Sequence, residues 1–387
     1  MAELKPGWRR VKFGEVVQLN KDRCANPAEE GIDRYVGLEH VDPEDLRVRR
    51  WGLVAEGTTF TNLFKPGQVL FGKRRAYQRK VAVADFEGVC SGDIYVFESK
   101  DAGVLLPDLL PFICQTDGFF DHAVGTSAGS LSPRTNWTQL AQYEFALPPL
   151  DEQRRLVNAL LTASEVSESY EVTLNAAEIL LAVTRESLFS NLNSKCLRLG
   201  DVLVRIEAGK SVVGYNETPQ GDAKGVLKVS AVGAQGFRPE EVKALVDDRD
   251  FLPQYQVRAG DLLISRANTY ELVGLVCLVE RDYNNYMLSD KTLRMVPKPE
   301  YSTQLLNEAL KTQAVRAQIR SLATGTGAAM KNISQQKIES LIIRLPSEKQ
   351  EQELVLQQLG QLQKAIDAIR SRAKRSKLVT NLLLEHY

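Results

Sequence analysis

The chain has 387 residues, 43% of them hydrophobic and 25% charged, with 49 Lys and Arg against 49 Asp and Glu. This length predicts two or three domains, and the ordinary globular composition excludes wholesale disorder. A net charge of zero offers no global attraction for a polyanion, so a nucleic-acid partner would have to meet locally clustered cations.

Met1 to Lys12 is polar and basic and lacks the apolar core of a signal peptide. No segment approaches the roughly 20 consecutive apolar residues of a membrane span, so no membrane partner is expected. Cys24, Cys90, Cys114, Cys196 and Cys277 are scattered singly, without a C-x-x-C pair. That argues against a disulfide framework or a zinc site and fits a cytoplasmic protein.

Residues 1–147 hold short apolar runs broken by Gly, Pro, Asn and Asp, among them Val69–Phe71 and Ile94–Phe97. They read as strands of a compact mixed α/β domain. Phe71-Gly-Lys-Arg-Arg-Ala-Tyr-Gln-Arg-Lys80 carries five positive charges and no acid. Lys73, Arg74, Arg75, Arg79 and Lys80 suit phosphates, arginine and Gln78 can read guanine and adenine edges, and Tyr77 stands among them. A solvated basic loop between strands fits the run equally well. Further on, Gly125-Thr-Ser-Ala-Gly-Ser130 offers backbone N–H groups and the Thr126 and Ser127 hydroxyls to a phosphate, with Arg134 and Asn136 nearby. The alternative there is a flexible turn before a short helix.

Residues 148–195 read as one long helix. Pro148-Pro149 leads into Asp151 and Glu152, which place negative charge on a first turn, where the macrodipole favours it. Leu156, Leu160, Ala163, Ser167, Tyr170, Leu174, Ala177, Leu181, Thr184 and Leu188 follow 4-3 spacing, a mostly apolar seam of coiled-coil type. At ~1.5 Å per residue the seam is about 48 Å long, which exceeds the roughly 34–36 Å of one DNA turn. Such a rod could serve as a ruler.

Residues 196–345 read as a second mixed α/β domain, with strands at Asp261–Ile264 and Val273–Val279 and a helix over Leu305–Leu322. Here Ser265-Arg-Ala-Asn-Thr-Tyr-Glu271 holds base-reading types in Arg266 and Asn268, beside Thr269 and Tyr270. Gly325-Thr-Gly-Ala-Ala-Met-Lys-Asn332 repeats the Gly-Thr theme, with Thr326, Lys331 and Asn332 as candidate contacts. Lys210, beside Gly209, is a further candidate.

Residues 346–387 read as a second long helix, opened by a Ser347–Gln350 capping box. Its seam is Val355, Leu359, Leu362, Ile366, Ile369 and Ala373. Each stripe lacks a partner in its own half, so the two are expected to pack on each other. A pseudo-two-fold duplication would make them antiparallel. The cations from Arg370 to Lys377 read as a solvated face or as favourable charge near a helix end.

The two halves also resemble each other. Leu147, Pro148, Leu156 and Val157 match Leu345, Pro346, Leu354 and Val355 at one offset, and Gly125-Thr126 matches Gly325-Thr326 at nearly the same one. Val11-Lys-Phe-Gly-Glu-Val16 resembles Leu197-Arg-Leu-Gly-Asp-Val202, and Lys65-Pro-Gly-Gln-Val-Leu70 resembles Arg258-Ala-Gly-Asp-Leu-Leu263. Four landmarks in one order predict a tandem duplication. The expected fold is α+β: two mixed α/β domains related by internal duplication and separated by an antiparallel coiled coil.

With this repeat, with Leu147-Pro-Pro-Leu-Asp-Glu-Gln153 leading into a long helix, and with Gly125-Thr-Ser127 before it, the chain resembles the DNA-specificity subunits of type I restriction–modification enzymes over essentially its whole length. In the second half, Ser347 replaces Pro149 and Gln350-Glu351 replaces Glu152-Gln153, a departure that bears on the start of that helix. The resemblance implies two target-recognition domains reading a split, asymmetric sequence in double-stranded DNA, with the helices setting the unread gap. It also implies docking of two methyltransferase subunits and of restriction/translocase subunits. S-adenosylmethionine, ATP and magnesium would belong to those partners, and this chain would hold no cofactor and no catalytic site.

The residues agree with that last expectation. Glu207-Ala-Gly-Lys-Ser211 ends like a phosphate-binding P-loop, but position 204 is Val where the motif needs Gly. Asn26-Pro27-Ala28-Glu29 lacks the second proline and the stacking ring expected of an adenine methyltransferase tetrapeptide. Triplets such as Glu98-Ser-Lys100 and Glu241-Val-Lys243 arise by chance in a chain with 49 acids, and metal-assisted cleavage needs further placed carboxylates; His40, His122 and His386 stand far apart. The alternatives are a specificity subunit of a related non-translocating system, a DNA-binding scaffold without methyltransferase partners, and a single-chain methyltransferase.

Overall fold

The computed structural model describes residues 4–129, 131–191, 194–325 and 330–385. It forms two compact units, one of Met1–Val172 with Arg370–Tyr387 and one of Thr173–Ile369. Each unit combines a globular domain with segments of both long helices, Leu150–Asn191 and Lys349–Glu385.

In the first unit, Val17–Leu19, Ile94–Ser99, Val69–Gly72 and Val81–Val83 lie side by side in that order, all antiparallel. A second four-stranded sheet runs Gly52–Leu53, Arg34–Val36, Gly88–Cys90, Asn62–Phe64, with one parallel pair at its centre. Strands Arg9–Lys12 and Glu144–Leu147 pair antiparallel and bring the two ends of the domain together where the helix begins. Between the first sheet and helix Asp117–Gly125 lies an aromatic core of fully buried Phe13, Phe71, Phe97 and Phe119. Phe71 and Phe97 stack at 5.5 Å between centroids. Val157 and Leu160 of the long helix belong to this same core, with Leu156 and Leu383 packed against it.

The second unit is built by the same order of connections. Leu203–Ala208, Thr292–Pro297, Leu262–Ser265 and Val276–Leu278 form the antiparallel sheet. A five-stranded sheet, with Gly225–Leu227 parallel to Tyr283–Met287, takes the place of the second one. Ser194–Arg198 pairs with Ile342–Pro346, as the end strands do in the first unit. Gly67 and Gly260 precede equivalent strands at φ of 84° and 83°. That left-handed turn suits a residue without a side chain.

The 4-3 seam describes the burial of the first long helix: every one of its positions from Leu156 to Leu188 is at least half-buried. Within the first unit, Leu383 reaches the core holding Leu156 and Leu160, while Ser376 Oγ lies 2.8 Å from Ser167 Oγ and Lys377 pairs with Glu171 at 2.6 Å. One segment ascends as the other descends, so they are antiparallel there. Within the second unit, Leu174, Ala177, Leu181 and Leu188 share a core with Val355, Leu359, Leu362 and Ile366, and Ile369 is half-buried. The second helix begins at Lys349, within a residue of the start that a Ser347 cap sets.

Two sequence expectations are corrected. The stretch Leu305–Leu322 is two helices, Thr303–Leu310 and Gln313–Leu322, because the chain turns at Lys311-Thr312 and the Thr312 hydroxyl donates to the Ala309 carbonyl. Of Val273–Val279, only Val276–Leu278 is strand; Gly274, at φ 70°, bends the chain just before it.

Candidate nucleic-acid interface

In both units the loop after the central strand meets the segment after the Gly-Thr turn. In the first, Lys73 N–H donates to the Asp93 carbonyl, Thr135 N–H to the Lys73 carbonyl, and Arg74 bridges to Arg134 as Ala128 does. In the second, Arg266 N–H donates to the Lys291 carbonyl, Ile333 N–H to the Arg266 carbonyl, and Ala267-Asn268 pairs with Lys331-Asn332. Candidates some sixty residues apart in the chain thus lie side by side in each unit, on one backbone scaffold bearing different side chains.

The basic run of the first unit is only partly free. Arg75 and Arg79, at φ of 55° and 53°, bracket a short turn over Ala76–Gln78. Arg79 is consumed internally: it pairs with Asp117 at 2.8 Å, donates to the Gln115 carbonyl and lies over the Phe120 ring. Lys80 donates to the Leu38 carbonyl at 2.6 Å. The ammonium of Lys73 sits 4.5 Å from the centre of the Tyr95 ring, and its pKa is held below the usual lysine value by burial above all, with Arg134 adding to the effect against Asp93. Asp93 binds Arg74 at 3.3 Å and Arg134 at 3.0 Å, while Ser132 Oγ accepts from Arg74 and Arg75. Tyr77 is exposed and Gln78 half-buried.

The Gly-Thr hydroxyls are turned inward. Thr126 donates to the His122 carbonyl and Ser127 to the Ala123 carbonyl, finishing helix Asp117–Gly125, and Asn136 caps helix Trp137–Leu140 through Thr138 N–H. These residues shape the scaffold. In the second unit, Lys331 Nζ donates to the Gly325 carbonyl at 3.0 Å, Asn268 Oδ1 accepts from Thr269 N–H, and Thr269 and Tyr270 are exposed. The guanidinium of Arg266 and the exposed amide of Asn332 have no hydrogen-bond partner among the described residues. Lys210 is exposed on its own loop, with no ladder or hydrogen bond among the described residues joining it to this group. Thr326 lies outside the described residues.

Sequence reasoning missed Asp93, Ser132, Tyr95 and Lys291. A signal existed: Ser91-Gly-Asp93 and Ser289-Asp-Lys291 precede equivalent strands of the two halves. Among the described residues no group of three His, Cys, Asp or Glu side chains is placed to hold a metal. All five cysteines are free thiols, and burial pushes Cys90 and Cys277 up to about 12. No described helix is long and apolar enough to cross a membrane.

Residues 6–175 match the family model of the type I restriction modification DNA specificity domain. Over 151 residues, 38% of this chain and 25% of the relative, the sequence is 32% identical to the Type I restriction enzyme EcoEI specificity subunit of Escherichia coli. It is 25% identical over 173 residues to the EcoDI specificity subunit of the same species, covering 44% of this chain and 38% of that one. The first half of the chain is thus similar to the specificity subunits of type I restriction enzymes. The match spans about a quarter of the EcoEI and two-fifths of the EcoDI subunit.

Solved structures share the fold. A type I restriction-modification S subunit from M. genitalium is 13% identical with a TM-score of 0.57, covering 99% of this chain and 97% of that one. A chain solved in work on complex assembly and conformational transition of the type I R-M system is 20% identical with a TM-score of 0.58, covering 100% and 98%. Both cover the second half of this chain as well as the first.

Proposed function

We propose that this chain is the non-catalytic DNA-recognition subunit of a type I restriction–modification complex, with each unit reading one half of a bipartite, asymmetric target in double-stranded DNA. The observation that carries this reading is the paired scaffold: in each unit the loop after the central strand lies against the return from the Gly-Thr turn. Side chains of base-reading types stand there in different identities, Arg75 and Arg134 in one and Arg266, Asn268 and Asn332 in the other. Equal frames with unequal side chains suit two readers of unequal half-sites.

A tandem duplication is the origin we assign to the two units, supported by their common strand order and by the matched glycine turns at Gly67 and Gly260. The antiparallel coiled coil of the long helices then sets the unread gap and offers docking surface to two methyltransferase subunits, which restriction and translocase subunits join. S-adenosylmethionine, ATP and magnesium act in those partners.

The test is to express the chain with its methyltransferase subunits and map methylated bases across the host genome by sequencing. Two short defined sequences separated by a fixed gap of free composition are expected. A contiguous site, or methylation without sequence preference, overturns the reading.

A further inference from the structure

Arg134 and Asp93 form an arrangement that their location alone does not explain. A carboxylate beside a DNA-binding surface repels phosphates and lowers non-specific affinity, so its presence among cations requires another role. Asp93 is held in place by its own backbone, whose N–H donates to Ser91 Oγ at 3.2 Å and whose carbonyl accepts from Lys73 N–H at 3.0 Å. Its two carboxylate oxygens are divided between two arginines: Oδ2 takes Arg74 Nη1 at 3.3 Å and Oδ1 takes Arg134 Nε at 3.0 Å.

The two guanidinium groups are left in different states. Arg74 is engaged at both terminal nitrogens, Nη1 with Asp93 and Nη2 with Ser132 Oγ at 3.2 Å, while its Nε is buried without a partner and so closed to DNA. Arg134 is bound through Nε alone, and among the described residues neither terminal nitrogen has a partner. Its side chain is 58% exposed, against 20% for Asp93. A guanidinium pinned at Nε and free at both terminal nitrogens presents a planar two-pronged donor with its torsions already restrained. That is the complement of the O6 and N7 acceptors on the major-groove edge of guanine.

We infer that Arg134 reads a guanine in the half-site recognised by the first unit, and that Asp93 is the residue that positions it. The inference rests on the DNA-reading function proposed above and specifies its chemistry at one base. The second unit has Asn332 at this ladder position, and Lys291 supplies the carbonyl that Asp93 supplies here. The Arg134-dependent guanine therefore belongs to one half-site only.

The experiment uses the full chain in complex with its methyltransferase subunits and duplexes of the mapped target, in which each guanine in turn is replaced by 7-deazaguanine, which lacks the N7 acceptor. With the native chain, one guanine in one half-site should weaken binding roughly 10-fold or more. In the complex carrying Arg134→Ala, that same replacement should have no further effect, while replacements in the other half-site act as before. Asp93→Asn should relax methylation at the same base pair, seen as sites with other bases there becoming methylated, and Asp93→Glu should restore part of the preference.

A bipartite target with no guanine coupled to Arg134 overturns the inference and leaves the proposed function standing. So does an Asp93→Asn variant that lowers methylation equally at all positions. Absence of a bipartite target overturns the function itself. The base replacement in the native complex requires no altered protein, so a variant that fails to fold does not remove the test.

Discussion

Gln153 ties the start of the first long helix to the globular domain, and its removal should be among the most damaging single changes in the first unit. The side chain is 1% exposed. Its amide donates to the Pro148 and Val104 carbonyls, and its oxygen accepts from Leu106 N–H, all at 2.9 Å. Each such bond contributes about 1 kcal/mol net, and each buried backbone group left without a partner costs a further ~1–3 kcal/mol. Gln153→Ala should therefore cost at least ~3 kcal/mol. Gln352 stands at the start of the second long helix, is half-buried, and makes one bond of this kind, to the Pro346 carbonyl at 2.9 Å. Gln352→Ala should cost only ~1 kcal/mol. For domains of this size 1 kcal/mol moves the melting temperature by ~2–4 °C. Calorimetry of the full chain should show the first variant lowering one transition by roughly 6–12 °C. Hydrogen exchange supplies a local readout, since the Leu106 amide should lose protection in Gln153→Ala and keep it in Gln352→Ala. Equal small shifts in the two variants, or an unchanged Leu106 amide, refute the reasoning.

The helix seam and the half-buried Glu308 of the second unit give two further expectations. Leu181 is 7% exposed on the seam and Ile179, two residues away, is 64% exposed. Leu181→Ala should cost ~2–5 kcal/mol and Ile179→Ala less than ~0.5 kcal/mol in denaturant unfolding, and the reverse order would displace the seam. Glu308 accepts from Arg185 at 2.8 Å and Lys311 at 3.2 Å. Burial raises its pKa, but the two cations outweigh burial and hold it below the usual glutamate value. A depressed folded pKa contributes stability that is complete above the unfolded value of ~4.3 and is lost as pH falls through the folded one. Urea midpoints of Glu308→Gln measured from about pH 6 down to about 3 should therefore fall less steeply than those of the native chain. Parallel curves would show that the acid is not linked to folding.

The residues that were legible in advance are those whose surroundings follow from position along one element. The seam from Leu156 to Leu188 is such a case, because helical period alone decides which side chains face inward. The strand at Val69–Gly72 and the glycine turn before it were legible for the same reason. Cations were harder. Nothing local distinguishes Arg79, locked onto Asp117 and the Gln115 carbonyl, from Arg75 four residues earlier, whose exposed guanidinium reaches Ser132. The helix break at Lys311-Thr312 was hidden because the apolar pattern runs on across it.

Asp93 gives no local signal of such a role, because it is an acid beside a run of cations. In water its charge would only subtract from the attraction for DNA. Fixed by its backbone bonds and shared between Arg74 and Arg134, it instead converts a diffuse positive patch into one oriented donor. Affinity for phosphate depends on total charge, whereas selection among bases depends on where each donor points. Net charge along the run from Lys73 to Lys80 measures the first quantity. The second is set by tertiary neighbours, so the orientation proposed for Arg134 follows only once residues 74, 93 and 134 are brought together.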